Sequence, residues 1–119
     1  MGNQLRVAVV GGNEFQRADL VRQVRAGNDC LVLFNGPADR SAMALVREAQ
    51  PDLVLVWLDS PVIEAMGLVR NVMEVCREAK VWLVGNAPTE TYTPLARRWG
   101  AAGYLHWQSL EIQLTNGNP

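Results

Sequence analysis

Histidine and cysteine are scarce in this sequence: His106 stands alone, and Cys30 and Cys76 are the only thiols. A Ser/His/Asp or Cys/His catalytic arrangement would have to use that one histidine, beside Trp107, and none is credible. A thiol–imidazole metal site lacks partners for the same reason, so the sequence predicts no metal and no cofactor. Both cysteines fall in apolar segments, which predicts two buried free thiols suited to a reducing cytoplasm. An excess of one charge is also missing. Eleven basic and 12 acidic residues leave a formal net charge of -1, which gives no footprint for nucleic acid or an anionic membrane. The arginines, such as Arg22, Arg40, Arg70 and Arg98, are scattered among acids and read as a solvated surface. The apolar run that ends at Val10 is too short for a signal core or a membrane span.

What remains is ordinary globular material. A chain of 119 residues with 49% hydrophobic and 19% charged residues suits one domain around one core. The expected organisation is a domain over 1–114 and a tail or linker start over 115–119.

Short β-rich runs alternate with longer helical ones. Leu5 to Val10 is a continuous apolar strand, broken by Gly11-Gly12. Asn13 then caps a helix with Glu14 in its first turn, Phe15, Leu20, Val21 and Val24 on its apolar side, and Gly27-Asn28 as its stop. Cys30 to Phe34 is the second strand, and Ser41 caps a short helix that would bury Ala44, Leu45 and Ala49. Leu53 to Leu58 is the most buried-looking strand, and Pro61 precedes a helix with Met66, Val69, Val72, Met73 and Cys76 on one side. Val81 to Val84 is the fourth strand. Gly85 to Thr93 reads as a loop, with Pro94 in the first turn of the next helix; a start near Thr91 is the alternative. Gly100 stops that helix, Ala102 to Leu105 is the fifth strand, and Ser109 to Leu114 is a last amphipathic piece. Strands apolar on both faces and separated by helices predict a doubly wound, five-stranded parallel sheet whose working edge is the strands' C-terminal ends.

Three stretches carry a resemblance: PDLVLVWLDSP from Pro51 to Pro61, KVWLVGNA from Lys80 to Ala87, and GAAGYL from Gly100 to Leu105. From Leu5 to about Leu114 the chain resembles the receiver domain of bacterial two-component response regulators, particularly those attached to LuxR-type DNA-binding domains. The resemblance implies a CheY-like, flavodoxin-like (βα)5 fold. It also implies five phosphotransfer positions: an acidic pair that holds Mg²⁺, an acceptor aspartate, a Ser or Thr, and a Lys. Such chemistry needs cations and donors to offset charge on the phosphoryl group.

Here the acidic pair falls on Gly11 and Gly12, the acceptor on Trp57, the hydroxyl on Gly85 and the lysine on Trp107. Tyr104 holds the aromatic switch position of the fifth strand. Asp59, beyond Trp57, would lack metal ligands and a lysine even if it turned toward the old pocket. These departures imply a regulatory binding module that is not an enzyme and works without phosphorylation. Gly11-Gly12 also invites a nucleotide-binding reading, but GGNEFQ lacks the later glycines of a dinucleotide loop.

Two readings of the edge stay open. Trp57 and Trp107 either plug the old pocket or line a site for a small apolar or aromatic ligand, with Asn13, Asn86, His106 and Gln108 as its polar groups. The resemblance also implies a protein partner or a homodimer through the fourth helix, fifth strand and fifth helix, a face that would include Leu95, Arg98, Trp99, Tyr104 and Leu110. The last helix has only about a turn and a half before Asn116-Gly117, so it is either cut short or completed by another protomer. If it is cut short, a DNA-binding domain is implied beyond it; nucleic-acid binding is not expected of these residues.

Overall fold

The structure is a computed structural model and describes residues 4–26, 29–58 and 62–109, with nothing said of the side chains of 62–64 and 109. In chain order the elements are β1 (Leu5–Val10), α1 (Glu14–Ala26), β2 (Cys30–Gly36), α2 (Arg40–Ala49) and β3 (Leu53–Trp57). Then come α3 (Val62–Val75), β4 (Lys80–Gly85), α4 (Thr89–Arg98), β5 (Gly103–His106) and a 3₁₀ turn (Trp107–Ser109). The strands form one parallel sheet in the order β2-β1-β3-β4-β5, the doubly wound arrangement expected. Among the described residues no helix is long and apolar enough to cross a membrane.

The two-residue period of the strands divides the core into two layers. Val7 and Val9, Leu53, Leu55 and Trp57, Val84 and Leu105 meet Leu20, Val21 and Val24 of α1. On the opposite face Ala8, Val10, Val54, Val56, Leu83 and Tyr104 meet Val46 of α2, Val69 and Val72 of α3, and Ala96 of α4. Every residue of β3 is buried, which matches its unbroken apolar sequence.

Several local expectations are corrected. Asp39, not Ser41, caps α2: its Oδ1 accepts a hydrogen bond from Ala42 N at 3.0 Å, and the helix starts at Arg40. Its buried residues are Ala42 and Val46, one turn apart, while Ala44 and Leu45 are exposed and Ala49 is half-buried. Phe15 is 81% exposed. It precedes Val24 by nine residues, and at roughly 100° per residue that places the two on opposite sides of α1. Met73 is exposed, Met66 is half-buried, and Cys30 is half-buried where a buried thiol was expected.

α4 begins at Thr89, well before Pro94. Pro94 lies inside the helix on an exposed position, so the carbonyl one turn back loses an amide partner at the solvent side rather than in the core. β2 runs on to Gly36, β3 ends at Trp57, and β5 occupies Gly103–His106. The stop at Gly27-Asn28, the residues Asp59, Pro61 and Leu110, the segment to Leu114 beyond Ser109, and the tail all lie outside the described residues.

Candidate functional site

The five singled-out positions gather at the C-terminal edge of the sheet. Gly11 and Gly12 follow β1, Trp57 ends β3, Gly85 ends β4, and Trp107 opens the turn after β5. Gly11 and Gly12 adopt φ of +91° and +75°, the left-handed region that disfavours other residues. A Cβ at Gly12 would lie 2.9 Å from Trp57 Cγ and 2.7 Å from Gln16 Oε1. A Cβ at Gly11 would lie 3.3 Å from the Trp57 carbonyl oxygen. The indole therefore occupies space that a carboxylate at Gly12 would need, and the Trp57 backbone crowds Gly11. Trp57 itself is only 6% exposed and packs into the α1 layer, with Trp107 and Trp82 at the margin.

The turn that carries the glycines is secured by α1. Asn13 Oδ1 accepts from Gln16 N at 2.8 Å, while Gln16 Oε1 accepts from Asn13 N at 2.8 Å, a reciprocal capping box. The Arg17 guanidinium donates to the Gly12 carbonyl.

On the opposite side of β4, Gly85 serves Tyr104 in the same way. A Cβ there would lie 2.9 Å from Tyr104 Oη. The phenol uses that room: it is 2% exposed and donates to the Ala87 carbonyl at 2.8 Å, with its ring 5.5 Å from that of Tyr92. Burial pushes the Tyr104 phenol above its usual range, and neighbouring Tyr92 acts in the same direction.

Between α1 and the β5 turn lies an open cavity of about 280 Å³. Phe15, Trp57 and Trp107 supply its aromatic walls, and Asn13, Gln16, Asp19 and Asn86 its polar ones. Asn13 and Asn86 were expected there. His106 and Gln108 were expected as well but do not line it: the His106 ring stacks beside Trp107 with centroids 6.3 Å apart, and His106 Nδ1 accepts from Gln108 N at 3.2 Å. Phe15, Gln16 and Asp19 were missed. Their spacing of one and four residues along α1 is the signal that could have found them, since it sets them on one side of the helix.

The proposed interaction face is only partly a surface. Arg98 is exposed, and Leu95 and Trp99 are half-buried. Tyr104 is turned inward to Ala87 and backs that face from beneath instead of lining it.

No family model matches the chain. It is 21% identical over 103 residues to the transcriptional regulatory protein DegU of Brevibacillus brevis, covering 87% of this chain and 44% of that protein. It is 23% identical over 112 residues to the uncharacterized transcriptional regulatory protein YxjL of Bacillus subtilis (strain 168), covering 94% of this chain and 51% of that protein. The chain thus spans about half the length of these curated relatives. Among solved structures, the signal receiver domain of the putative response regulator NarL from Mycobacterium tuberculosis matches with a TM-score of 0.79 and 20% identity, over 98% of this chain and 94% of that one. The fold is that of response-regulator receiver domains.

Proposed function

We propose that this chain is a signalling module of the receiver type, part of a transcriptional regulator, whose output does not depend on phosphorylation. It acts by binding other proteins or a second copy of itself, and catalyses nothing. The observation that carries this reading is the packing of Trp57, at the position of the acceptor aspartate, against Gly11 and Gly12, at the positions of the metal-binding acids. None of the three positions offers a carboxylate, and the indole fills the space beside Gly12. Gly85 supports the same reading: it leaves Tyr104 room to sit buried and hydrogen-bonded without any phosphoryl group to draw it in.

Such a domain presents one surface state. Leu95, Arg98 and Trp99, backed by Tyr104, are the residues we assign to the contact. In a regulator twice this length, DNA contact would belong to a segment beyond these residues, because the chain's near-neutral charge gives no phosphate-binding stripe.

Incubation with acetyl phosphate and Mg²⁺, followed by intact-mass measurement, tests the central claim. The mass is expected to stay unchanged. A phosphoryl adduct mapped to Asp59, or to any other carboxylate, refutes it.

A further inference from the structure

Among the described residues nothing closes over the aromatic edge. Phe15 is the most exposed large apolar side chain described, and it shares the cavity with Trp57 and half-buried Trp107, so three ring systems converge on one open space. A plugged pocket would have its aromatic groups packed on each other. Here Trp57 packs against Gly12 and forms the floor, Trp107 sits half-buried at the margin of the same layer, and Phe15 is exposed.

Size and charge narrow the occupant. A volume of about 280 Å³ lies just below the usual range for ligand sites, about 300–1,000 Å³, and suits two or three fused rings. Among the described residues no lysine or arginine lines it, and the one charged group is the Asp19 carboxylate. Asp19 is shared with the Arg22 guanidinium and with Gln23 Nε2, so it opposes an anion without demanding a cation. The faces of indole and phenyl rings favour positive charge over negative. Asn86 is exposed and its side chain makes no hydrogen bond among the described residues, which leaves an amide donor and acceptor at the rim.

We propose that this cavity is a ligand site for a flat, uncharged or cationic aromatic molecule of two or three rings, stacked on Phe15 and Trp107 above Trp57, with a polar end at Asn86. Its role as the input of the domain rests on the reading that phosphoryl chemistry has left this edge; the binding itself is measured directly.

Titration of intrinsic tryptophan fluorescence with naphthol, naphthylmethylammonium and naphthoate is the test. The first two are expected to quench saturably, and naphthoate to bind about tenfold or more weakly, because its carboxylate would be desolvated without a partner. Phe15→Ala is expected to weaken naphthol binding about five- to tenfold while leaving the unfolding midpoint in place, since the ring is exposed. Asn86→Ala, also at an exposed position, is expected to weaken naphthol binding and spare naphthalene. Absence of saturable quenching, naphthoate binding equal to naphthol, or indifference to Phe15→Ala overturns the site. Self-association that Phe15→Ala abolishes, without any probe binding, assigns the groove to a protein partner and overturns it too. Probe binding together with a phosphoryl adduct would leave the site standing and remove the proposed function; neither binding nor adduct would do the reverse.

Discussion

Gly12 and Trp57 form one packing unit, and each constrains what the other position can be. Alanine at Gly12 would combine a left-handed backbone, which costs about 1–2 kcal/mol outside glycine, with a methyl 2.9 Å from the indole. We expect Gly12→Ala to cost about 2 kcal/mol or more and Trp57→Ala about 3–5 kcal/mol. In the Trp57→Ala background the cost of Gly12→Ala should shrink to the backbone strain and the contact with Gln16, a coupling of about 1 kcal/mol in a double-mutant cycle read by urea denaturation. Additive costs would disprove the link. The identities of these residues were legible in the sequence, and so was the possibility that Trp57 plugs the pocket. The contact was not, because residues distant in the chain meet only once β1 and β3 pair.

At the scale of elements, reading by pattern succeeded where a face is continuous and failed where a single side chain decides. The strands were legible because apolar runs bounded by Gly, Pro and Asp leave few other readings. The start of α2 was not, since Asp39 and Ser41 are both competent caps and only the backbone angle at Asp39 selects between them. α4 was read too short for a related reason: Pro94 suits the first turn of a helix, yet it is also tolerable further in where the orphaned carbonyl faces water. This helix carries the contact assigned to the module. Sedimentation over a concentration series is expected to show a dimer that weakens on Arg98→Glu, an exposed position that stability should hardly register. A strict monomer at high concentration counts against the assignment.

For the whole molecule, burial of Tyr104 links stability to alkaline pH. Its folded-state proton affinity is raised above the unfolded value of about 10. The stabilisation is thus complete below about pH 10 and lost as pH rises through the folded-state value, because the unfolded chain releases its proton first. Cys30, raised by burial and then by the charge of Asp29, begins the same decline at lower pH. Denaturation at neutral and alkaline pH should show Tyr104→Phe about 1 kcal/mol less stable at pH 7, from the lost bond to Ala87, with the gap closing as pH rises. Parallel profiles for the two proteins would refute the linkage.

The sequence by itself determined the doubly wound sheet and which residues stand at its C-terminal edge. Short runs apolar on both faces and joined by helical crossovers admit few topologies, and the end of each run fixes which residue reaches the edge. Only the tertiary structure decided that Phe15 faces outward, that Tyr104 turns inward over Gly85, and that a cavity lies between the aromatic rings of the described residues. Those outcomes depend on distances between segments remote in the chain, to a fraction of an ångström, and close packing sets such distances only when all the elements are in place.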